Sequence, residues 1–158
     1  MAADAVDAVV EQLGRGGSSR TRRLRLLGSA PATHAPEHLA RRYGSEAAFV
    51  LSLLDADPAL AAPLVPGLPY LRAEAVHGVR REMARTLDDV LSRRTRARLL
   101  GRDATAAAAD DVAGLLAPEL GWSDDDRSAE AAVYRAAVAH ERESAGLPET
   151  ALDRTLGA

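Results

Sequence analysis

The chain has 158 residues and a formal net charge of −3, with 47% apolar residues, only 3% aromatic ones and no cysteine. That length suits one domain with a buried core, and the core has to be built from Ala, Leu and Val. Disulfides and thiolate metal sites are excluded, the aliphatic palette argues against a β-sandwich, and no apolar run is long enough to span a bilayer.

Residues 2–13 predict a first helix, because Ala5, Val6, Val9, Val10 and Leu13 recur on one face and Asp4 suits the positive end of the helix dipole. The run from Gly14 to Ser19 stops it. Residues 18–36 read as a connector anchored by Leu24, Leu26 and Leu27. A short helix is predicted from Pro36 to Tyr43, with proline at a permitted first-turn position and Gly44 as its stop. Ser45 is predicted to cap the next helix, which carries Phe49, Val50, Leu53 and Leu54 to Asp55. Residues 57–69, with Pro58, Pro63, Pro66 and Pro69, are expected to run irregularly over the surface.

A long central helix is predicted from Tyr70 onward. Val76, Val79, Met83, Leu87, Val90 and Leu91 line one face, with a kink allowed around Ala84 to Thr86. The chain breaks again at Gly101. Asp103 is predicted to cap a helix through Val112, Leu115 and Leu116 that stops at Pro118. A turn at Gly121-Trp122 then leads to a last helix, capped by Ser123, whose buried face is expected to hold Ala132, Val133, Ala136, Ala137 and His140. No alternating strand pattern and no repeat occurs in the sequence. The predicted fold is all-α, a small bundle of about five to six helices with one long central helix. Its parts are a terminal helix (1–13), a linker (14–35), a helical domain (36–147) and a loose tail (148–158).

All 20 basic residues are arginine, and the chain has no Lys, Ile or Asn, which looks like the codon usage of a GC-rich genome. Arginines dominate residues 70–102, whereas acids dominate from Asp103 onward. Pairing of these two halves with each other is the simpler expectation, ahead of an outside anionic ligand.

Several motifs are weighed and set aside. Gly14-Arg-Gly16-Gly17 follows a helix rather than a strand and lacks a third glycine at Ser19, so it reads as a helix stop rather than a phosphate loop. His34 and His38 have Pro36 between them and no nearby third ligand beyond Glu37. His77 and His140 are isolated and read as core-edge residues. Taking Asp124 as the first position of a calcium loop puts Ala129 where Gly is needed and Arg135 where Glu is needed, so the reading fails. No catalytic, cofactor-binding or metal-binding residue is predicted in this chain. The strongest polar motif is Arg93-Arg94-Thr95-Arg96. Arg93, Arg94 and Arg96 are expected to serve as docking or structural residues, with pairing to Asp88 and Asp89 as the simpler role.

Glu74, Val79, Arg80, Glu82, Ala84, Thr86, Asp89, Leu91 and the run from Arg93 to Arg96 form a block that resembles the C-terminal domain of FAD-dependent glycerol-3-phosphate dehydrogenases and the related glycerophosphate oxidases. Arg42-Tyr43-Gly44 matches that family's R-Y-G, and Glu119-Leu120-Gly121-Trp122 its E-L-[GN]-W turn. The similarity runs from the first residue to about Leu147, with a shorter connector between Gly28 and Glu37. Residues 2–8 resemble the helix that follows the family's flavin-contacting G-K-x-T-T-Y-R segment.

The resemblance implies the back end of a flavoenzyme whose catalytic half is missing. The parent would oxidise sn-glycerol 3-phosphate to dihydroxyacetone phosphate, passing hydride to FAD and electrons to quinone or oxygen. This chain alone is expected to be colourless and inactive, with structural or docking work toward the flavin-binding domain as its partner. The absence of a signal peptide makes a cytoplasmic location the expectation. A peripheral membrane association of the parent and a homodimer are left open, and no nucleic-acid partner is expected. The alternatives are a free-standing helical interaction module and, behind it, a basic-helix nucleic-acid binder, which salt-dependent affinity for DNA or RNA would reveal.

Overall fold

Among the residues described by this computed structural model, 2–17 and 20–149, every regular element is helical apart from one isolated β-bridge between Pro63 and Leu71. The α-helices are α1 (Ala2–Leu13), α2 (Glu37–Tyr43), α3 (Ala47–Ala56), α4 (Arg72–Glu82), α5 (Ala97–Leu100), α6 (Arg102–Ala107), α7 (Ala109–Leu120) and α8 (Asp124–Ser144). They fall into two compact units, residues 1–47 and 48–158. The all-α class expected from the sequence holds. The expected tail beyond Glu149 lies outside the described residues.

In the first unit α1 forms where its periodicity predicts, and none of its residues is buried. Gly14 adopts φ 61° and donates its N–H to the Glu11 carbonyl at 3.2 Å, a left-handed stop that only glycine adopts without strain. Leu24, Leu26 and Leu27 do not anchor the connector: all three are exposed, Leu27 by 88%. The connector's backbone instead packs closely against the end of α2. Gly28 and Gly44 both have positive φ, and a Cβ on Gly44 would fall 1.8 Å from the Gly28 carbonyl oxygen. No side chain fits there, which is the physical reason for the glycine after Tyr43. Ser45 does not cap the next helix; it sits inside a 3-10 turn, Gly44–Glu46, that runs into α3.

In the second unit the segment expected over the surface is partly core. Leu64, Val65 and Leu68 are buried with Tyr70. The prolines prevent a helix, but the chain satisfies its polar groups another way. Leu64 N–H donates to the Tyr70 carbonyl at 2.7 Å, Leu68 to Val65 at 3.0 Å and Arg72 to Ala62 at 2.9 Å. The loop folds back on itself, so its leucines can point inward.

The expected long central helix does not form as one piece. α4 stops after Glu82, where Met83 adopts the left-handed conformation (φ 59°) and Ala84 donates to the Gly78 carbonyl at 3.0 Å. A new start follows. Thr86 Oγ1 accepts from the Asp89 N–H at 3.0 Å, while Asp89 Oδ2 accepts from the N–H groups of Arg85 (3.0 Å) and Thr86 (3.1 Å). This reciprocal cap satisfies amides that a continuous helix would have paired internally, and it launches a π-helical turn, Asp89–Arg94. Two further boundaries differ. The helix after Gly101 is split at Ala108 into α6 and α7, and Pro118 lies inside the last turn of α7, which ends at Gly121 (φ 69°). Trp122 N–H then reaches back to the Ala117 carbonyl at 3.0 Å.

α8 begins at the predicted cap, with the Ser123 hydroxyl accepting from Asp126 N–H at 3.1 Å and Asp126 Oδ2 accepting from Ser123 N–H at 3.0 Å. Its buried stripe is Ala131, Tyr134 and Val138 rather than the face expected, and Val133 is 66% exposed. Tyr134 decides the rotation, because its large ring gains most from burial and its hydroxyl finds a buried partner in Thr105 Oγ1 at 2.9 Å. Burial accordingly pushes the Tyr134 phenol above its ordinary value. α7 packs on both α4 and α8, and Leu87, Val90, Leu91, Val112 and Leu116 form the centre of the core. No helix among the described residues is long and apolar enough to cross a membrane.

Candidate functional site

The residues from Glu74 to Arg98 hold the strongest motif of the sequence, and the structure shows what each does. Glu74 is buried and accepts the Leu71 N–H at 2.9 Å, closing the first turn of α4. Arg80 forks onto Glu119 of α7 with bonds of 2.7 and 2.6 Å, and this carboxylate raises the arginine pKa. The Arg94 stem lies against α4 at Gly78, where an added Cβ would make only an ordinary contact of 3.8 Å with Arg94 Cγ.

Within the arginine run the side chains separate by role. Arg93 bonds Asp88 at 2.7 Å and Asp89 at 2.6 Å. Burial alone would push the Asp89 carboxyl up. The Arg85 amide, the Thr86 side chain, Arg93 and the Thr86 amide outweigh it and hold the group below the usual aspartate range. Thr95 is buried; its hydroxyl donates to the Val90 carbonyl at 2.7 Å and accepts the Ala97 N–H at 3.3 Å. Arg94 and Arg96 are exposed, and Arg96 takes a left-handed backbone conformation (φ 59°).

Three residues that the sequence reading passed over complete the picture. Arg98, whose side chain is only 16% exposed, reaches Glu141 of α8 at 2.5 Å, the Ala137 carbonyl at 3.2 Å and Asp88 at 3.4 Å, with its guanidinium 5.7 Å from the Tyr134 ring centre. Leu99 and Leu100, which follow it, are 78% and 49% exposed. A basic run ending in two leucines is a signal visible in the sequence; that Arg98 turns inward is not.

The expected pairing of the basic centre with the acidic C-terminal half is what the structure shows: Arg72 with Asp111 at 2.5 Å, Arg80 with Glu119, Arg98 with Glu141. A cleft of about 330 Å³ is lined by Thr86, Asp89, Arg93, Glu130 and Tyr134 together with Asp88 and Ala137, the two residues through which Arg98 touches it. Its carboxylates already hold the fold together, Asp89 as above and Glu130 by accepting Leu87 N–H at 2.8 Å. His77 is buried in α4 and His140 is exposed on α8. His34 precedes α2 and His38 lies within it. Among the described residues no three His, Cys, Asp or Glu side chains converge as metal ligands.

Comparison with known proteins bears on this architecture. A family model described as the C-terminal domain of alpha-glycerophosphate oxidase matches residues 17–127. The chain is 34% identical over 167 residues to glycerol-3-phosphate dehydrogenase 2 of Mycobacterium tuberculosis, an alignment that covers 94% of this chain and 28% of that protein. It is 38% identical over 94 residues to a probable mitochondrial glycerol-3-phosphate dehydrogenase of Dictyostelium discoideum, covering 60% of this chain and 15% of the relative. The mitochondrial enzyme of Mesocricetus auratus is 32% identical over 123 residues, 75% of this chain and 17% of the relative. The chain therefore spans little more than a quarter of the length of these relatives at most. No solved structure matches. With the matched region covering most of the chain, including the whole motif from Glu74 to Arg96, the chain belongs to the family of C-terminal domains of alpha-glycerophosphate oxidase.

Proposed function

We propose that this chain is the C-terminal part of an FAD-dependent glycerol-3-phosphate dehydrogenase and that it docks on the flavin-binding portion rather than carrying out chemistry itself. In the whole enzyme, glycerol 3-phosphate gives the hydrogen of its central carbon to FAD as hydride and its hydroxyl proton to a base or to solvent, leaving dihydroxyacetone phosphate, and the reduced flavin passes the two electrons to quinone or oxygen. The names of the relatives and the family support that parentage. A flavin pyrophosphate is held by a glycine-rich turn between a strand and a helix, and this sequence offers no such unit.

The observation that carries the docking role is α1. Its apolar side chains Val6, Val9 and Leu13 are all exposed, and no residue of the helix is buried. A 12-residue helix is marginal in water without packing. Its regular apolar face is what a partner surface would stabilise, and the flavin-binding portion is that partner in this reading.

The test is direct. The purified chain should show no flavin absorbance and no dye reduction with glycerol 3-phosphate. Co-expressed with the flavin-binding portion of the parent, it should copurify as a complex and raise the yield of soluble flavoprotein. A flavin bound stoichiometrically by the chain alone, or no complex with the catalytic portion, overturns the proposal.

A further inference from the structure

The corner formed by Arg96, Leu99 and Leu100 carries an inference of its own. Arg96 is one of two non-glycine residues with positive φ among the described residues. An arginine in the left-handed region is held there at a conformational cost, and glycine would hold the same backbone without it. The surroundings impose the conformation: Thr95 and Ala97 on either side are buried, and the Thr95 hydroxyl bonds both the Val90 carbonyl and the Ala97 amide. Arg98 is drawn inward to Glu141 and Asp88. What the corner presents outward is the Arg96 side chain beside Leu99, 78% exposed, and Leu100, 49% exposed, with Arg94 exposed two residues before it.

We infer that this corner is a docking surface for the flavin-binding portion of the parent enzyme, and that it seats in an apolar recess of that portion rimmed by carboxylates. The inference rests on the parentage proposed above. Three observations favour this occupant. Two adjacent exposed leucines at the end of α5 form an apolar knob, which a partner surface buries at a gain. The flanking side chains are arginines, so the complementary rim is acidic. In the mycobacterial relative the matched stretch is 28% of the protein, so the domain's constant neighbour is the larger remainder of its own polypeptide. Tethering supplies that neighbour at an effective concentration on the order of millimolar. The arginine run thereby divides its work, with Arg93 and Thr95 holding the turn and Arg96 meeting the partner.

The test uses the full chain and the flavin-binding portion on separate polypeptides, followed by size-exclusion and calorimetry. Wild type should bind, and binding should weaken between 50 and 300 mM salt. Arg96→Glu and the double variant Leu99→Ser/Leu100→Ser should each raise Kd at least tenfold with little change in the melting temperature of the chain. Arg96→Gly should raise that melting temperature while weakening binding, a divergence that a purely structural arginine does not produce. If both variants bind as wild type does, the corner is not the interface while the parentage stands. If wild type forms no complex at all, the parentage and this inference fall together. Loss of folding in Arg96→Glu makes the residue structural and overturns the inference. So does Arg96-dependent binding to vesicles of anionic and neutral phospholipid, or Arg96-dependent self-association in sedimentation, when complex formation is unaffected.

Discussion

Helix α1 and the segment from α4 through the π-helical turn carry the same kind of signal and meet opposite fates. Both have apolar residues at helical spacing. In α1 the regular face of Val6, Val9 and Leu13 stays exposed. In α4 the face is poorer, yet Ala73, Ala75, Val76, His77 and Gly78 are all buried, Glu74 among them. Amphipathic spacing states that a helix has a face to cover; it does not state that its own chain covers it. The α4 segment is covered because α7 lies against it and Arg80 forks onto Glu119.

The largest expected effect lies in the covered segment. Leu91 is fully buried, and Leu91→Ala should lower stability by about 2–5 kcal/mol, read as a shift in the urea midpoint at constant slope. A loss under about 1 kcal/mol would mean that the core around the π-helical turn is looser than this packing indicates.

Next comes the cap. Asp89→Ala removes the acceptor for two backbone amides and should cost about 1–2 kcal/mol. The pH dependence sharpens this. The Asp89 carboxyl is held below its ordinary value in the fold, so its contribution is fully present above the unfolded aspartate value of about 3.9. It is lost as pH falls further through the folded value. The stability gap between wild type and Asp89→Ala should therefore be constant from pH 7 to 5 and shrink below about pH 4. A gap that does not change with pH would show that Asp89 acts only by packing.

A smaller effect of opposite sign is expected at Met83. It is 80% exposed and left-handed at the C-terminus of α4, the position glycine fills best. Met83→Gly should stabilise the chain by about 0.5–1 kcal/mol, visible as a rise in melting temperature. A fall would assign the Met83 side chain a contact in the fold.

The smallest effect belongs to α1. In the isolated chain Val9→Ser should change stability by less than about 0.5 kcal/mol, and the α1 amides should exchange hydrogen without protection while those of Val76 and Val90 are protected. The same substitution in the complex with the flavin-binding portion should weaken binding. Protection of α1 equal to that of α4 in the free chain would erase the contrast between the two regions.

Much of this protein is written locally. The helical class, the limits of α1, the glycine stops and the Ser123 cap of α8 follow from short-range chemistry, because caps and glycines act within a few residues. The break after α4 was legible too: Thr86-Leu-Asp-Asp89 is a capping box, overshadowed by an apolar period that runs through it. The motif from Glu74 to Arg96 pointed to the family, and the match over residues 17–127 agrees.

Tertiary structure decided the rest, since burial and ion pairing depend on which groups meet across the chain. It turned α8 about Tyr134, because the hydroxyl of Thr105, far away in sequence, offered that phenol a buried partner. It drew Leu64, Val65 and Leu68 inward from a proline-rich loop by pairing the loop's backbone with itself. It also separated the arginines of one run. Arg93 and Arg98 meet carboxylates at ion-pair distance, while Arg96 is pinned outward by the buried threonine before it. Spacing along a helix cannot distinguish these fates, because the π-helical turn and the left-handed residue after it change the direction of each successive side chain.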